Sequence, residues 1–374
     1  MQQQTNNKPK TLNLLQLFRG LAAIAVALFH VDQLTNEKFN AVYFFDIFKF
    51  GWSGVDYFLV LSGFIIIYTQ HQNLLQRSFT RFKSFLLKRF VRIYPIYWLA
   101  TLGILLFLLL IPGFKNNTPL TLSSTIQSFL LFPQQQAPIL NVGWTLILIL
   151  FFYLIFSLNY ILPRRFYLAI IAIVLLGSTS QFISAFAISP AEYPRWGLVF
   201  NSLNLEFLFG CIAAYIVLNY SLHYRRTIFF LGLGSLLLFS YLQTYGVINE
   251  VNIINLFGID FTINRTIFSG IPCFFLVMGA ASIDIKNGVE IPKIFTYFGD
   301  ASYSIYLIHS PVISALVQLS LKLKLNEAIN NYFILGSLIA IISIGISCIF
   351  YDLIEKPLTK YLRKQLVPRK TSPS

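Results

Sequence analysis

Arg19 and His30 are the two ionisable side chains of one apolar stretch, LNLLQLFRGLAAIAVALFHV, that is long enough to cross a bilayer. An imidazole at membrane depth can take and return a proton near neutral pH, and a guanidinium can hold an anion. At about 100° per residue, eleven positions bring the two side chains within roughly 20° of one helix face, about 16 Å apart along the axis. A charge facing lipid at the centre of a span costs on the order of 2.5–3.5 kcal/mol, so both are expected to line a polar cavity. The bland alternative has Arg19 snorkelling to the membrane surface and His30 as a satisfied core histidine.

Other residues extend this chemistry. The stretch GWSGVDYFLVLSGF sets Asp56 among small residues, Gly51, Ser53, Gly54, Ser62 and Gly63, which let helices approach closely. Asp56 has two readings: it fixes the tautomer of His30 and supports it as a general base, or it pairs with an arginine and ties helices together. In FLLKRFVRIYPIYW, Arg89 and Arg92 are spaced i,i+3 on a helix entering the membrane, where adjacent guanidiniums either offer bidentate donors to a phosphate or serve as surface anchors. Glu206, in NLEFLFG, is suited to orienting an acceptor or to pairing with Arg195. Ser302, Tyr306 and His309 fall on one helical face and form a polar seam expected to face the cavity. Glu355, in YDLIEKPL, is read as structural, paired with a basic surface.

The elements that must position these groups are membrane helices. With 56% hydrophobic and 11% charged residues over 374 positions, the chain cannot bury its apolar side chains in one water-soluble core. The fold class is all-α and polytopic. Spans are expected at about 12–31, 50–69, 93–111, 142–162, 166–186, 199–219, 227–245, 266–283, 297–320 and 332–354, ten in all, which puts both termini on one side. That side carries twenty of the 28 Lys and Arg, including Lys8, Lys10, Arg89, Arg92, Arg369 and Lys370, against seven on the other, so both termini are expected to be cytoplasmic. The formal charge of +14 reflects this asymmetry and attraction to anionic lipid, and nucleic acid is not an expected partner.

Several chemistries are excluded. Cys211, Cys273 and Cys348 lie in apolar segments without CxxC spacing and read as core residues. His30, His71, His223 and His309 lack metal-binding spacing, so no metal is expected. There is no nucleotide-binding glycine loop and no internal repeat of the kind found in many transporters. The first stretch, interrupted by Arg19, reads as a retained span rather than a signal peptide.

Taken together, Arg19 and His30 with ten residues between them, GVDYFLVLSGF, Arg89 and Arg92 before YPIYW, and SYSIYLIH at 302–309 resemble the membrane-bound acyltransferase 3 family, in matching order across essentially the whole chain. The stretch from FLLFPQQQAPILNVGWTL into FFYLIF is similar to the subgroup that acetylates bacterial exopolysaccharides. The resemblance implies a ten-helix enzyme of the bacterial inner membrane that moves an acyl group, acetyl above all, from cytosolic acyl-coenzyme A to a hydroxyl of an envelope or exported glycan. By position, His30 would be the base, Asp56 its support, Arg19 a partner in the same cavity, and Arg89 and Arg92 part of the coenzyme A region. Trp144, Glu206, Tyr306 and His309 would meet the acceptor, Trp144 as a stacking platform or indole donor for a sugar, or else as a membrane-interface tryptophan. Residues 1–360 then form one transmembrane domain and 361–374 a short basic cytoplasmic tail. Partners are membrane lipids and a glycan or lipid-linked sugar, with room for a homo-oligomer. The alternative is a multi-span transporter or flippase for a lipid-linked or anionic substrate.

The match departs at Ile149, which occupies a position where relatives carry a glutamate after the Gly-Trp-Thr-Leu of 143–146. Whatever that acid does must be absent here or supplied elsewhere. The charge asymmetry generates a direct test of orientation. A fluorescent protein fused after Ser374 is expected to fluoresce and an alkaline phosphatase fused there to be inactive; the reverse pattern inverts the topology.

Overall fold

The computed structural model describes residues 12–40, 43–74, 76–110, 121–189, 192–249, 251–256, 258–329 and 331–366. Lys8, Lys10, Lys115, Arg369 and Lys370, used in the charge count above, lie outside them. The helices are α1 (Asn13–Phe39), α2 (Ser53–Gln70), α3 (Phe79–Leu110), α4 (Leu122–Leu130), α5 (Gly143–Ser157), α6 (Arg164–Ser180), α7 (Pro194–Val199) and α8 (Asn204–Asn219). They continue as α9 (Arg225–Thr244), α10 (Ile271–Asn287), α11 (Lys293–Asp300), α12 (Ser302–Lys322), α13 (Leu325–Ile329), α14 (Tyr332–Phe350) and α15 (Lys356–Leu366). A two-stranded antiparallel hairpin, β1 (Val251–Leu256) and β2 (Ile259–Asn264), stands between α9 and α10.

Among the described residues, nine helical segments are long and apolar enough to cross a membrane. They match nine of the ten expected spans. The remaining one, 166–186, becomes α6, which has 17 residues, the lower limit of roughly 17–25 for a span. Its apolar run stops at Gly177-Ser178-Thr179-Ser180, after which the chain folds into a tight turn at Ser184–Phe186. Even so, α6 carries the chain along the bundle, because Ser178 Oγ accepts a hydrogen bond from Asn204 Nδ2 at the start of α8, 3.0 Å away. At the other end of the chain, the last span runs on through the turn at Tyr351–Glu355 and into α15, so helix continues past Lys360 as far as Leu366.

Helix α2 is the central post of the bundle. It packs against α8, α1 and α10, and its small residues set the spacing. A Cβ on Gly210 would lie 1.9 Å from the Val60 carbonyl oxygen, and one on Gly63 would lie 2.0 Å from that of Phe207. Backbone therefore meets backbone between α2 and α8, the contact that small residues permit in lipid.

Polar groups then lock the ends. The Asp284 carboxylate accepts from the backbone N–H groups of Leu14 and Leu15 at 2.9–3.2 Å, capping the first turn of α1 from the end of α10. The YPIYW run on α3 has an analogous use. Tyr94, Trp98 and Tyr97 donate to the carbonyls of Leu130, Phe129 and Ser128 at 3.1, 2.8 and 2.8 Å, satisfying the exposed end of α4. This fixes the chain that leads into α5.

The α2–α8 contact generates a stability test. Gly210→Val must push two backbones apart, and overpacking of this kind costs about 1–3 kcal/mol, whereas Gly103→Ala, with nothing within 4 Å of its Cβ position, should be neutral or better. Thermal unfolding in detergent, comparing both variants with the parent chain, checks this.

Candidate active site

A cavity of about 630 Å³ opens between α1, α2, α3, α5, α11 and α12. Arg19, Arg89 and Arg92 all line it, joined by Ser62, Thr69, Asp300, Ser302, Tyr303 and Tyr306. The three guanidiniums come from two helices, and each is half-buried. Among the described residues none of them reaches a carboxylate within 4.0 Å or makes a hydrogen bond. Arg89 instead lies over the rings of Tyr153 and Phe85, at 4.8 and 5.2 Å. Glu355 is close enough to act electrostatically on Arg19 and Arg92, but its Oε2 accepts from Ser304 Oγ at 2.5 Å. Glu355 therefore makes no contact ion pair with the basic surface expected for it, and its hydrogen bond ties the last span to α12 through a serine hydroxyl.

The deep end of the cavity is Thr145 and Tyr306, whose hydroxyl oxygens are 2.7 Å apart. Beyond it stands a pair of histidines. The rings of His309 and Tyr306 are 6.0 Å apart, and those of His30 and His309 are 5.2 Å apart. His309 is fully buried; its Nδ1 donates to the Ile305 carbonyl at 2.8 Å. His30 Nδ1 is 3.2 Å from the side-chain oxygen of Gln33. The expected seam on α12 exists, with Ser302 and Tyr306 on the cavity and His309 one step past it. The shared cavity for Arg19 and His30 does not. Arg19 lines the chamber, while His30 lies behind the Tyr306–Thr145 contact, because the rise along α1 carries it about 16 Å further.

Asp56 is corrected most. It does not hold His30. Both its oxygens accept from Arg265, Nε and one terminal nitrogen each at 3.0 Å, in a bidentate pair. The same guanidinium reaches the Trp52 carbonyl at 3.3 Å and covers the Trp52 ring at 4.3 Å. Asp56 is fully buried, and a carboxylate there takes the strongest donor within reach, which is a planar guanidinium rather than a neutral imidazole. The second of the two sequence readings is the one realised.

Glu206 is likewise displaced from its expected roles. It is fully buried beside Gly270, within electrostatic reach of Asp56 and Arg265, and it does not line the main cavity. Its proposed partner Arg195 lies instead over the ring of Phe132, at 5.5 Å. Trp144 is 39% exposed and lines a separate cleft of about 270 Å³ with Gln134, Gln135, Gln136 and Asn201. Ile149 lines the main cavity. Sequence reasoning missed Arg265, Gln33 and Thr145. Arg265 alone carried a signal, a cation directly before the apolar run TIFSGIPCFFLV.

The bundle is thus a polytopic membrane protein with three guanidiniums gathered at one chamber and a pair of histidines beyond its Tyr306–Thr145 end. The profile of the acyltransferase 3 family, described as an acyltransferase domain, matches residues 12–352, and the chain belongs to that family. It is a membrane acyltransferase, a multi-pass protein of the bacterial inner membrane. It is similar to the exopolysaccharide production protein ExoZ of Rhizobium meliloti (strain 1021), with 28% identity over 351 residues, 91% of this chain and 96% of the relative. No solved structure matches the chain.

The buried pair generates the next prediction. Asp56→Ala and Arg265→Ala should each destabilise the protein by about 3–5 kcal/mol, because each leaves an uncompensated buried charge. Asp56→Leu combined with Arg265→Met should cost far less than the sum of the singles. Denaturant unfolding of the parent chain and these three variants in detergent measures the coupling, and a double variant that costs the sum of the singles would show that the pair is not what holds α2.

Proposed function

We propose that this acyltransferase draws an acyl group, acetyl above all, from acyl-coenzyme A held in the main cavity, and transfers it to a hydroxyl of an exported glycan, with both termini in the cytoplasm. The observation that carries this reading is the convergence of Arg19, Arg89 and Arg92 on one chamber without carboxylate partners. Three guanidiniums held half-buried and unpaired are unfavourable unless a multiply charged anion compensates them, and phosphate and pyrophosphate groups fit a guanidinium bidentately. The side facing this chamber carries most of the Lys and Arg, in keeping with a cytosolic donor.

In this mechanism the phosphates stay at the arginines and the thioester reaches the Tyr306–Thr145 end. Arg19 serves the donor rather than the reacting carbonyl, since it stands about 16 Å from His30 along α1. The acceptor approaches His30 from the opposite side. His30 takes the proton of the acceptor hydroxyl as its oxygen attacks the thioester carbonyl; the carbon–sulfur bond breaks with its electron pair going to sulfur, and the thiolate leaves. Gln33, accepting from Nδ1, leaves Nε2 of His30 as the base. The name of the relative supports a polysaccharide acceptor. The cleft of Trp144, Gln134, Gln136 and Asn201 pairs an indole with side-chain amides and has no charged side chain in its lining, a surface suited to a neutral sugar.

Arg89→Ala and Arg92→Ala should each weaken coenzyme A binding by about 1.5–3 kcal/mol, the value of a charge-assisted contact, with lysine restoring only part. Calorimetric titration reads this, and unchanged affinity in both would return the pair to membrane anchoring. In proteoliposomes supplied with acetyl-coenzyme A and alkali-deacylated exopolysaccharide fragments, His30→Ala should abolish thiol release while leaving donor binding intact. Retained turnover would remove His30 from the chemistry.

A further inference from the structure

We propose that His309 is a positioning residue that works as the second half of a proton-holding pair with His30, keeping the acceptor's proton until the leaving thiolate takes it. This rests on the acyl-transfer reading above. A base that accepts a proton in a low-dielectric site becomes a cation and needs a counterpart. The carboxylate matched to it in the sequence reading, Asp56, is fully engaged by Arg265, and Asp32, two residues along α1, makes no ion pair with His30 but lies among Tyr43, Asp46 and Lys49. What His30 does have is a second imidazole, with ring centroids 5.2 Å apart and planes inclined by 34°.

The tautomer of His309 suits the role. Its Nδ1 faces the Ile305 carbonyl at 2.8 Å, and since a carbonyl can only accept, the proton of the neutral ring sits on Nδ1. Nε2 is then a lone pair, and among the described residues this buried atom has no hydrogen-bond partner. Among the described residues neither imidazole pairs with a carboxylate. Phe29 stacks edgewise on His30, Tyr306 packs on His309, and Ser343 Oγ is committed to the His309 carbonyl at 3.3 Å. A buried acceptor left unpaired beside the proposed base is a liability to folding unless it acts when that base is charged.

The step balances without any further reagent. The acceptor oxygen forms a bond to the acyl carbon and gives its proton to His30; the His30–His309 pair holds that proton, shared toward the His309 lone pair, while the carbon–sulfur electron pair moves to sulfur. The pair then returns the proton, yielding ester and free thiol and restoring two neutral rings. His309 also connects the base to the chamber, because it touches both His30 and Tyr306, and Tyr306 lines the donor cavity.

The discriminating variant is His309→Asn, whose amide nitrogen can still donate to the Ile305 carbonyl but which lacks the Nε2 lone pair. Thiol release from acetyl-coenzyme A with deacylated exopolysaccharide fragments should show kcat lowered at least tenfold, with KM for the donor within twofold of the parent. A kcat within twofold of the parent in a folded variant overturns the proposal. The dependence of the parent rate on the fraction of heavy water gives a test that needs no variant: a bowed curve, from two protons in flight, supports the pair, and a straight line overturns it. Absence of thiol release from the parent chain is a different result, since it removes the acyl-transfer reading and the pair with it.

Discussion

A full charge inside an apolar bundle must be paired or must face water, and this constraint organises the protein. The chain uses both solutions, side by side. Asp56 and Arg265 are paired in bidentate geometry and fasten the start of α2 to the segment that opens α10. Arg19, Arg89 and Arg92 are left unpaired, and a chamber of about 630 Å³ opens where they meet. The first arrangement is a contact ion pair; in the second, Asp300 and Glu355 act on Arg19 only from beyond contact distance.

The pair and the chamber depend on the same helix. Because Gly63 and Gly210 let α2 and α8 touch backbone to backbone, α2 sits deep in the bundle and places Asp56 beside both Arg265 and Glu206 on α8. One turn further, Phe58 and Leu59 face the cavity and Phe58 packs edgewise on Tyr306. Tyr306 in turn separates the guanidinium chamber from the two histidines. A donor with its charge at the arginines and its reactive end near the Tyr306–Thr145 contact would span the chamber, while the Trp144 cleft lies outside it. Neighbouring residues at the start of α5 thus open on different compartments, Thr145 on the chamber and Trp144 on the cleft.

Aromatic residues that look like filler in the sequence have assigned tasks. The YPIYW run supplies three donors to the last carbonyls of α4, so the loop that carries the three glutamines and leads to Trp144 on α5 is tied to the same helix that carries Arg89 and Arg92. The ring of Tyr153 supports Arg89 from below at 4.8 Å, a face-on contact that orients a guanidinium without neutralising it. Such support leaves the full charge available to a ligand.

Membrane class, helical fold and the residues that ring the chamber were legible in the sequence, because hydropathy over 17–25 residues and a cation inside an apolar run are local signals. Arg19, Arg89 and Arg92 announced themselves in this way, as did the Ser302–Tyr306–His309 seam through its helical spacing. Which charge pairs with which was not legible. Asp56 and Arg265 are separated by 209 positions, and nothing local to either names the other. For the same reason Glu206 could not be placed, and His30 could be matched to Asp56 on paper while in space its neighbours are Gln33 and His309. One expected span also came out short, since the apolar run of α6 ends early in small polar residues and the helix stops at 17 residues. The sequence by itself determined that charges lie at membrane depth; only the packing of the helices decided their partners, because pairing energy in a low dielectric depends on contact geometry of a few ångströms, which sequence spacing specifies within one helix and not between two.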